Sequence, residues 1–105
     1  MVNDIYPEDL DKLENKVIID VREPFEYDEM HVKDSILIPM YEIPERLEDI
    51  KKMDKNIVLV CASGHRSIYV ASYLEQNGVK NVYNLAGGIY SMYFSGFPLI
   101  TAYDE

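Results

Sequence analysis

Residues 57–74 read IVLVCASGHRSIYVASYL. The first four, IVLV, are apolar without alternation, the pattern of a strand covered on both faces in a parallel sheet. From Ile68 onward the apolar residues recur at helical spacing, through Ala71 to Leu74. Between the two lies CASGH, a short turn with a glycine. The chain therefore passes from a buried strand into a helix, with Cys61 at the carboxyl end of the strand and Arg66 at the start of the helix.

The same grammar repeats outward from this segment. Three more short, β-branched runs occur at 17–20 (VIID), 36–38 (ILI) and 82–85 (VYNL). Helical patterns lie between them: Ile43, Leu47, Ile50 and Met53 share one face of an otherwise charged stretch, and another helix is expected over 88–95. Pro7, Pro24 and Pro44 mark helix starts, where a missing N–H costs nothing. Gly78 and Pro98 mark helix ends. Strand and helix alternate, which predicts a three-layer α/β/α fold around a central parallel sheet of four or five strands, a short strand near Ile5 being the fifth. One domain is expected over residues 1–105, with its core at about 5–99 and the final TAYDE as a loose or surface tail.

Composition narrows the function. Of 105 residues, 48% are hydrophobic and 28% charged, enough apolar material for a packed core. The net charge of −9 argues against a nucleic-acid partner, which is held through clustered Lys and Arg. It does not exclude a small anion, because charges beyond about 8 Å are screened at physiological salt. No apolar run approaches the roughly 20 residues needed to cross a bilayer, and MVNDIYPEDL lacks the blocks of a signal peptide. The expectation is a cytoplasmic protein without a membrane partner. The single cysteine forbids an intrachain disulfide, and His31 and His65 have no ligand spacing around them, so no metal is expected.

A thiol at the end of a parallel strand faces a helix amino terminus, where ligands bind in open α/β sheets and free amides favour negative charge. Gly64 can take backbone angles closed to other residues and aim successive N–H groups inward as an anion nest. Arg66 adds a fixed positive charge. Such surroundings favour the thiolate, the reactive form of cysteine. The alternative is an inert buried thiol, since free cysteine is among the most buried residue types.

Taken together, Asp20-Val21-Arg22, Glu26-Tyr27, His31, Ile38-Pro39, the cysteine loop with Gly64, Arg66 and Ser67, Gly87-Gly88, and Gly96 with Pro98 resemble a single-domain rhodanese, a sulfurtransferase, across about residues 17–99. The resemblance implies that Cys61 attacks the outer sulfur of a small anionic donor such as thiosulfate. Cys61 then holds that sulfur as a persulfide and passes it to cyanide, a thiol or a protein sulfur acceptor, with no cofactor. The sequence departs from the family pattern at Met30 and Asp34, which replace glycines, and at Met92, which replaces an aromatic. The phosphatase and arsenate-reductase relatives are the rival enzymes, and a non-enzymatic sulfur carrier or binding module is the rival role. Phosphatase relatives carry five residues between cysteine and arginine; the four here, Ala62 to His65, favour sulfur over the larger phosphate, since one residue adds up to about 3.5 Å of contour.

The remaining assignments are these. Ala62, Ser63, Gly64, His65, Arg66 and Ser67 are read as the substrate cradle, Ala62 and His65 through their backbone, with the His65 side chain facing solvent. Ser63 and Ser67 are also candidates to cap the helix or close the loop. Arg66 opposes the helix dipole and so asks for an anion nearby. Asp20 and Arg22 end a strand on the same sheet edge as Cys61; they are candidates to position substrate, or are structural, with Arg22 paired to Glu26. His31 is expected to fix a turn.

Overall fold

A computed structural model describes residues 2–104. Five short strands form the central sheet: β1 (Asn3–Ile5), β2 (Lys16–Asp20), β4 (Ile36–Leu37), β5 (Asn56–Val60) and β6 (Val82–Leu85). Their spatial order is β1-β6-β5-β2-β4, and every pairing is parallel. The helices are α1 (Pro7–Leu10), α2 (Pro24–Glu29), α3 (Leu47–Lys51), α4 (His65–Gln76) and α5 (Gly88–Phe94). A second, antiparallel pair joins β3 (Met30–His31) to β7 (Ile100–Thr101).

The unbroken apolar runs are explained by two cores, one on each face of the sheet. Ile19, Ile57 and Leu59 face Ile50 of α3 with Val70, Ala71 and Leu74 of α4. Their neighbours Ile18, Val58 and Val60 face Leu10 of α1 with Ile89 and Met92 of α5. Alternate residues of each strand thus enter opposite layers. Each such Leu or Ile, fully buried, contributes about 1.5–3 kcal/mol relative to exposure. The three-layer α/β/α fold with five parallel strands is the one expected, and the short strand at Ile5 is its edge.

One local reading needs correction, and two are sharpened. The helix expected around Ile43–Met53 is broken into two 3-10 turns, Met40–Glu42 and Pro44–Arg46, before α3 begins. Pro44 has no N–H to give to Met40, and Arg46 instead donates to Ile43 at 3.0 Å. Ile43 and Ile50 are nevertheless buried as the spacing implied. The tail is a surface one, with Tyr103 exposed, and it is ordered by the pairing of Thr101 with Met30 and a 3-10 turn over Ala102–Asp104; Glu105 lies outside the described residues. Finally, the departures from glycine around His31 have different costs. Met30 is extended, at φ −168°, a conformation open to any residue. Asp34 sits at φ +65°, where a non-glycine residue loses about 1 kcal/mol. Met92 is fully buried, its flexible thioether filling the space beside Ile89.

Register places the chemistry. Asp20 lies beside Val60, and Val21 donates its N–H to Val60 at 2.9 Å, so the ends of β2 and β5 are level. Asn84 lies beside Leu59 on the other flank. Cys61 emerges between them.

Candidate active site

The turn after β5 closes around the sulfur. Gly64 donates its N–H to Cys61 Sγ at 3.0 Å, and Ser67 donates its own at 3.4 Å. Gly64 has φ +96°, in the left-handed region, and a Cβ there would come within 3.1 Å of the Gly87 nitrogen. Only glycine fits both demands without strain. Cys61 is buried, with the Ser67 hydroxyl 3.3 Å from its sulfur. Two amides therefore converge on one atom, an arrangement that stabilises negative charge on sulfur.

What holds the amides inward is the start of α5. Ile89 donates its N–H to the Cys61 carbonyl at 2.9 Å, and Tyr90 donates to the Ala62 carbonyl at 3.1 Å. With these carbonyls drawn outward, the following N–H groups turn toward the sulfur. Gly88 permits the contact: a Cβ on it would lie 2.3 Å from the Cys61 oxygen and 2.6 Å from that of Ala62. Sequence reading noted Gly87-Gly88 only as a family signature and gave it no task.

Arg66 finds its anion within the protein. Its guanidinium donates to both carboxylate oxygens of Glu26, at 2.8 and 2.9 Å. Glu26 also accepts the Glu23 N–H at 2.9 Å, closing the capping box of α2. The paired Arg66 holds the Glu26 carboxyl down to about 2 from its ordinary 4.5, against the opposing effect of burial and with help from Glu23 and the charge of Arg22. Glu26 in turn raises the Arg66 guanidinium above its ordinary value, with smaller help from Cys61 and Asp20.

The expected pairing of Arg22 with Glu26 is therefore replaced by another. Arg22 forms a bidentate bond with Asp20, at 2.9 Å from Nε to Oδ1 and 2.8 Å from Nη2 to Oδ2. Its Nη2 also reaches the Met30 carbonyl at 2.6 Å. Both side chains are almost wholly buried, and such pairs persist only when every donor and acceptor is matched. Asp20 and Arg22 thus tie the end of β2 to β3, and neither has a hydrogen bond to the cysteine loop. His31 fixes its turn as read, with Nδ1 2.8 Å from the Tyr27 carbonyl and its ring stacked on Tyr27 at 3.9 Å.

Ser63 and His65 are exposed and bond each other, with Ser63 Oγ 3.0 Å from His65 Nδ1. Ser63 therefore closes the loop through a side chain rather than through backbone. Asn84 was missed altogether. Buried in β6, it accepts the Ser67 hydroxyl at its Oδ1, while its Nδ2 donates to Asp4 at 3.2 Å and to the Gly64 carbonyl at 3.5 Å. A lone amide inside the apolar VYNL run was the available signal, since a buried polar group demands partners.

A cavity of about 570 Å³ lies away from this site, lined by Lys16, Lys33, Lys55 and Phe97 at the amino ends of β2 and β5. It holds no thiol, hydroxyl or imidazole. Among the described residues no helix is long and apolar enough to cross a membrane.

Comparison with known proteins shows the family. The Rhodanese-like domain family matches residues 6–93. A protein of Allochromatium vinosum named sulfurtransferase is 36% identical over 104 residues, covering 95% of this chain and 96% of its own length. The tRNA uridine(34) hydroxylase of Photorhabdus laumondii is 36% identical over 78 residues, 70% of this chain but 22% of that protein. Among solved structures, a rhodanese-related protein from Thermoplasma volcanium superposes with a TM-score of 0.86 at 33% identity, covering 93% of this chain and 97% of that one. With fold and sequence in accord, the chain belongs to the rhodanese-like domain family and is of the sulfurtransferase kind.

Proposed function

We propose that the protein carries one sulfur atom at a time on Cys61, taking it from a small anionic donor such as thiosulfate and giving it to cyanide or a thiol, a protein thiol among them. The Cys61 thiolate attacks the outer sulfur of thiosulfate; an S–S bond forms to Cys61, the donor S–S bond breaks, and sulfite leaves with the bonding pair. The acceptor then attacks the outer sulfur of the persulfide, and the electron pair of the broken S–S bond returns to Cys61. Sulfur is displaced twice, and no external electron carrier is consumed.

The observation that carries this reading is the convergence of the Gly64 and Ser67 amides on Cys61 Sγ. Fixed donors of this kind favour the thiolate before attack and after delivery, and need no reorganisation during the step. The tight loop, with four residues between Cys61 and Arg66, suits a sulfur end atom better than a tetrahedral phosphate. Arg66, part-exposed, neutralises the Glu26 carboxylate at the mouth, so that an anionic donor meets no net repulsion there.

The test is steady-state transfer from thiosulfate to cyanide, read as thiocyanate, beside hydrolysis of an aryl phosphate. Thiocyanate formation that is lost in Cys61→Ser is expected. Aryl phosphate turnover dependent on Cys61, without thiocyanate, would overturn the sulfur assignment.

A further inference from the structure

The direction of one buried hydroxyl can be worked out from its neighbours. Asn84 Nδ2 lies against the Asp4 carboxylate at 3.2 Å and the Gly64 carbonyl at 3.5 Å. Both are acceptors only, so the amide must present its NH2 to them and its Oδ1 to Ser67. Oδ1 has no hydrogen, and Ser67 Oγ has one. The Ser67 hydroxyl therefore donates to Asn84, and its single hydrogen is committed there.

This settles the contact on the other side of Ser67. With its hydrogen turned toward Asn84, Ser67 Oγ shows only lone pairs to Cys61 Sγ, 3.3 Å away. A thiol can donate its S–H to those lone pairs. A thiolate has no hydrogen to give and meets them as a repulsion. The Gly64 and Ser67 amides favour charge on the sulfur, whereas the Ser67 hydroxyl as held by Asn84 favours the proton.

We propose that Asn84 is a positioning residue that turns the Ser67 hydroxyl away from Cys61, so that the hydroxyl can accept from the thiol but gives no hydrogen bond to the thiolate, and the reactivity of the sulfur is restrained. The proposal rests on Cys61 being the reactive sulfur, but not on what the sulfur donor is. Removing the Asn84 oxygen frees the Ser67 hydrogen to rotate toward sulfur, where it supports the thiolate. Loss of a buried side chain thereby increases the reactivity of a group it does not touch.

Cys61 is the only cysteine, so iodoacetamide alkylation at neutral pH reads it alone. Asn84→Ala is expected to alkylate faster than wild type by about tenfold, the effect of one hydrogen bond to a charged group. Adding Ser67→Ala to Asn84→Ala should slow alkylation below that of Asn84→Ala, because the freed hydroxyl is then gone. A folded Asn84→Ala that reacts no faster than wild type, or a gain that Ser67→Ala leaves undiminished, would overturn the proposal. Should Asn84→Ala fail to fold, the S–H stretching band decides. In wild type the band lies at a hydrogen-bonded frequency and moves upward in Ser67→Ala; a band unmoved by that substitution contradicts the proposal. Neither readout requires thiosulfate, so failure of sulfur loading in wild type would count against the proposed function alone.

Discussion

The inner wall of the cysteine loop and its outer rim are built on opposite terms. Inside, the polar atoms around the sulfur are held in place: Gly64 and Ser67 amides to sulfur, the Ser67 hydroxyl to Asn84, and the Cys61 and Ala62 carbonyls to α5. At the rim, the Arg66–Glu26 pair is part-exposed, and Phe25, Tyr69 and Tyr90 stand 65%, 71% and 56% exposed on the elements that carry it or brace the loop. The wall fixes one geometry around one atom, so it defines the chemistry. The rim is free to vary at little cost in stability, which is where discrimination between partners belongs.

Substitutions of the wall should therefore do most damage. Cys61→Ser is expected to lower sulfur transfer by roughly 10³-fold or more, as loss of a nucleophile does, with folding retained by circular dichroism. Gly88→Ala comes next. Its methyl group would overlap the Cys61 and Ala62 carbonyls, and the resulting shift should cost about 3 kcal/mol in denaturant unfolding and on the order of 10²-fold in transfer. A Gly88→Ala protein with normal stability and rate would mean that α5 does not shape the loop.

The rim should give smaller numbers. Arg66→Ala is expected to weaken transfer from thiosulfate by about tenfold, mostly in KM, since it leaves the Glu26 carboxylate to repel the anion. Glu26→Gln tests the pair by stability. The Glu26 carboxyl is held down to about 2 from 4.5, so its contribution is present above pH 4.5 and lost as pH falls toward 2. The pair is part-exposed, so the gap between wild type and Glu26→Gln should be no more than about 1 kcal/mol at neutral pH and low salt, and should close over that acid range. A gap independent of pH would contradict the pairing. Smallest of all, Tyr69→Ala should change the rate with thiosulfate by less than about twofold. A larger effect on a protein acceptor than on cyanide would place selection at the rim.

The same division describes what the sequence made legible. The strands could be read because covering both sheet faces leaves continuous apolar runs, and Cys61, Gly64 and Arg66 because a strand, a glycine turn and a helix start are adjacent along the chain. What escaped was the pairing of distant residues. Arg66 and Glu26 are 40 positions apart and Ser67 and Asn84 are 17 apart, and their meeting depends on sheet register. Arg22 was matched with Glu26, one helical turn ahead, although Asp20 satisfies the same guanidinium from only two residues away at the end of its own strand. The β3–β7 pair was invisible for a different reason, since strands of two residues carry no period.

The central claim is that Cys61 holds a sulfur atom, and the most direct measurement is intact mass. Wild-type protein incubated with thiosulfate and freed of excess donor should gain the mass of one sulfur, lose it on addition of cyanide, and show neither change in Cys61→Ser. A wild-type mass that stays the same, or a gain that persists in Cys61→Ser, would contradict it.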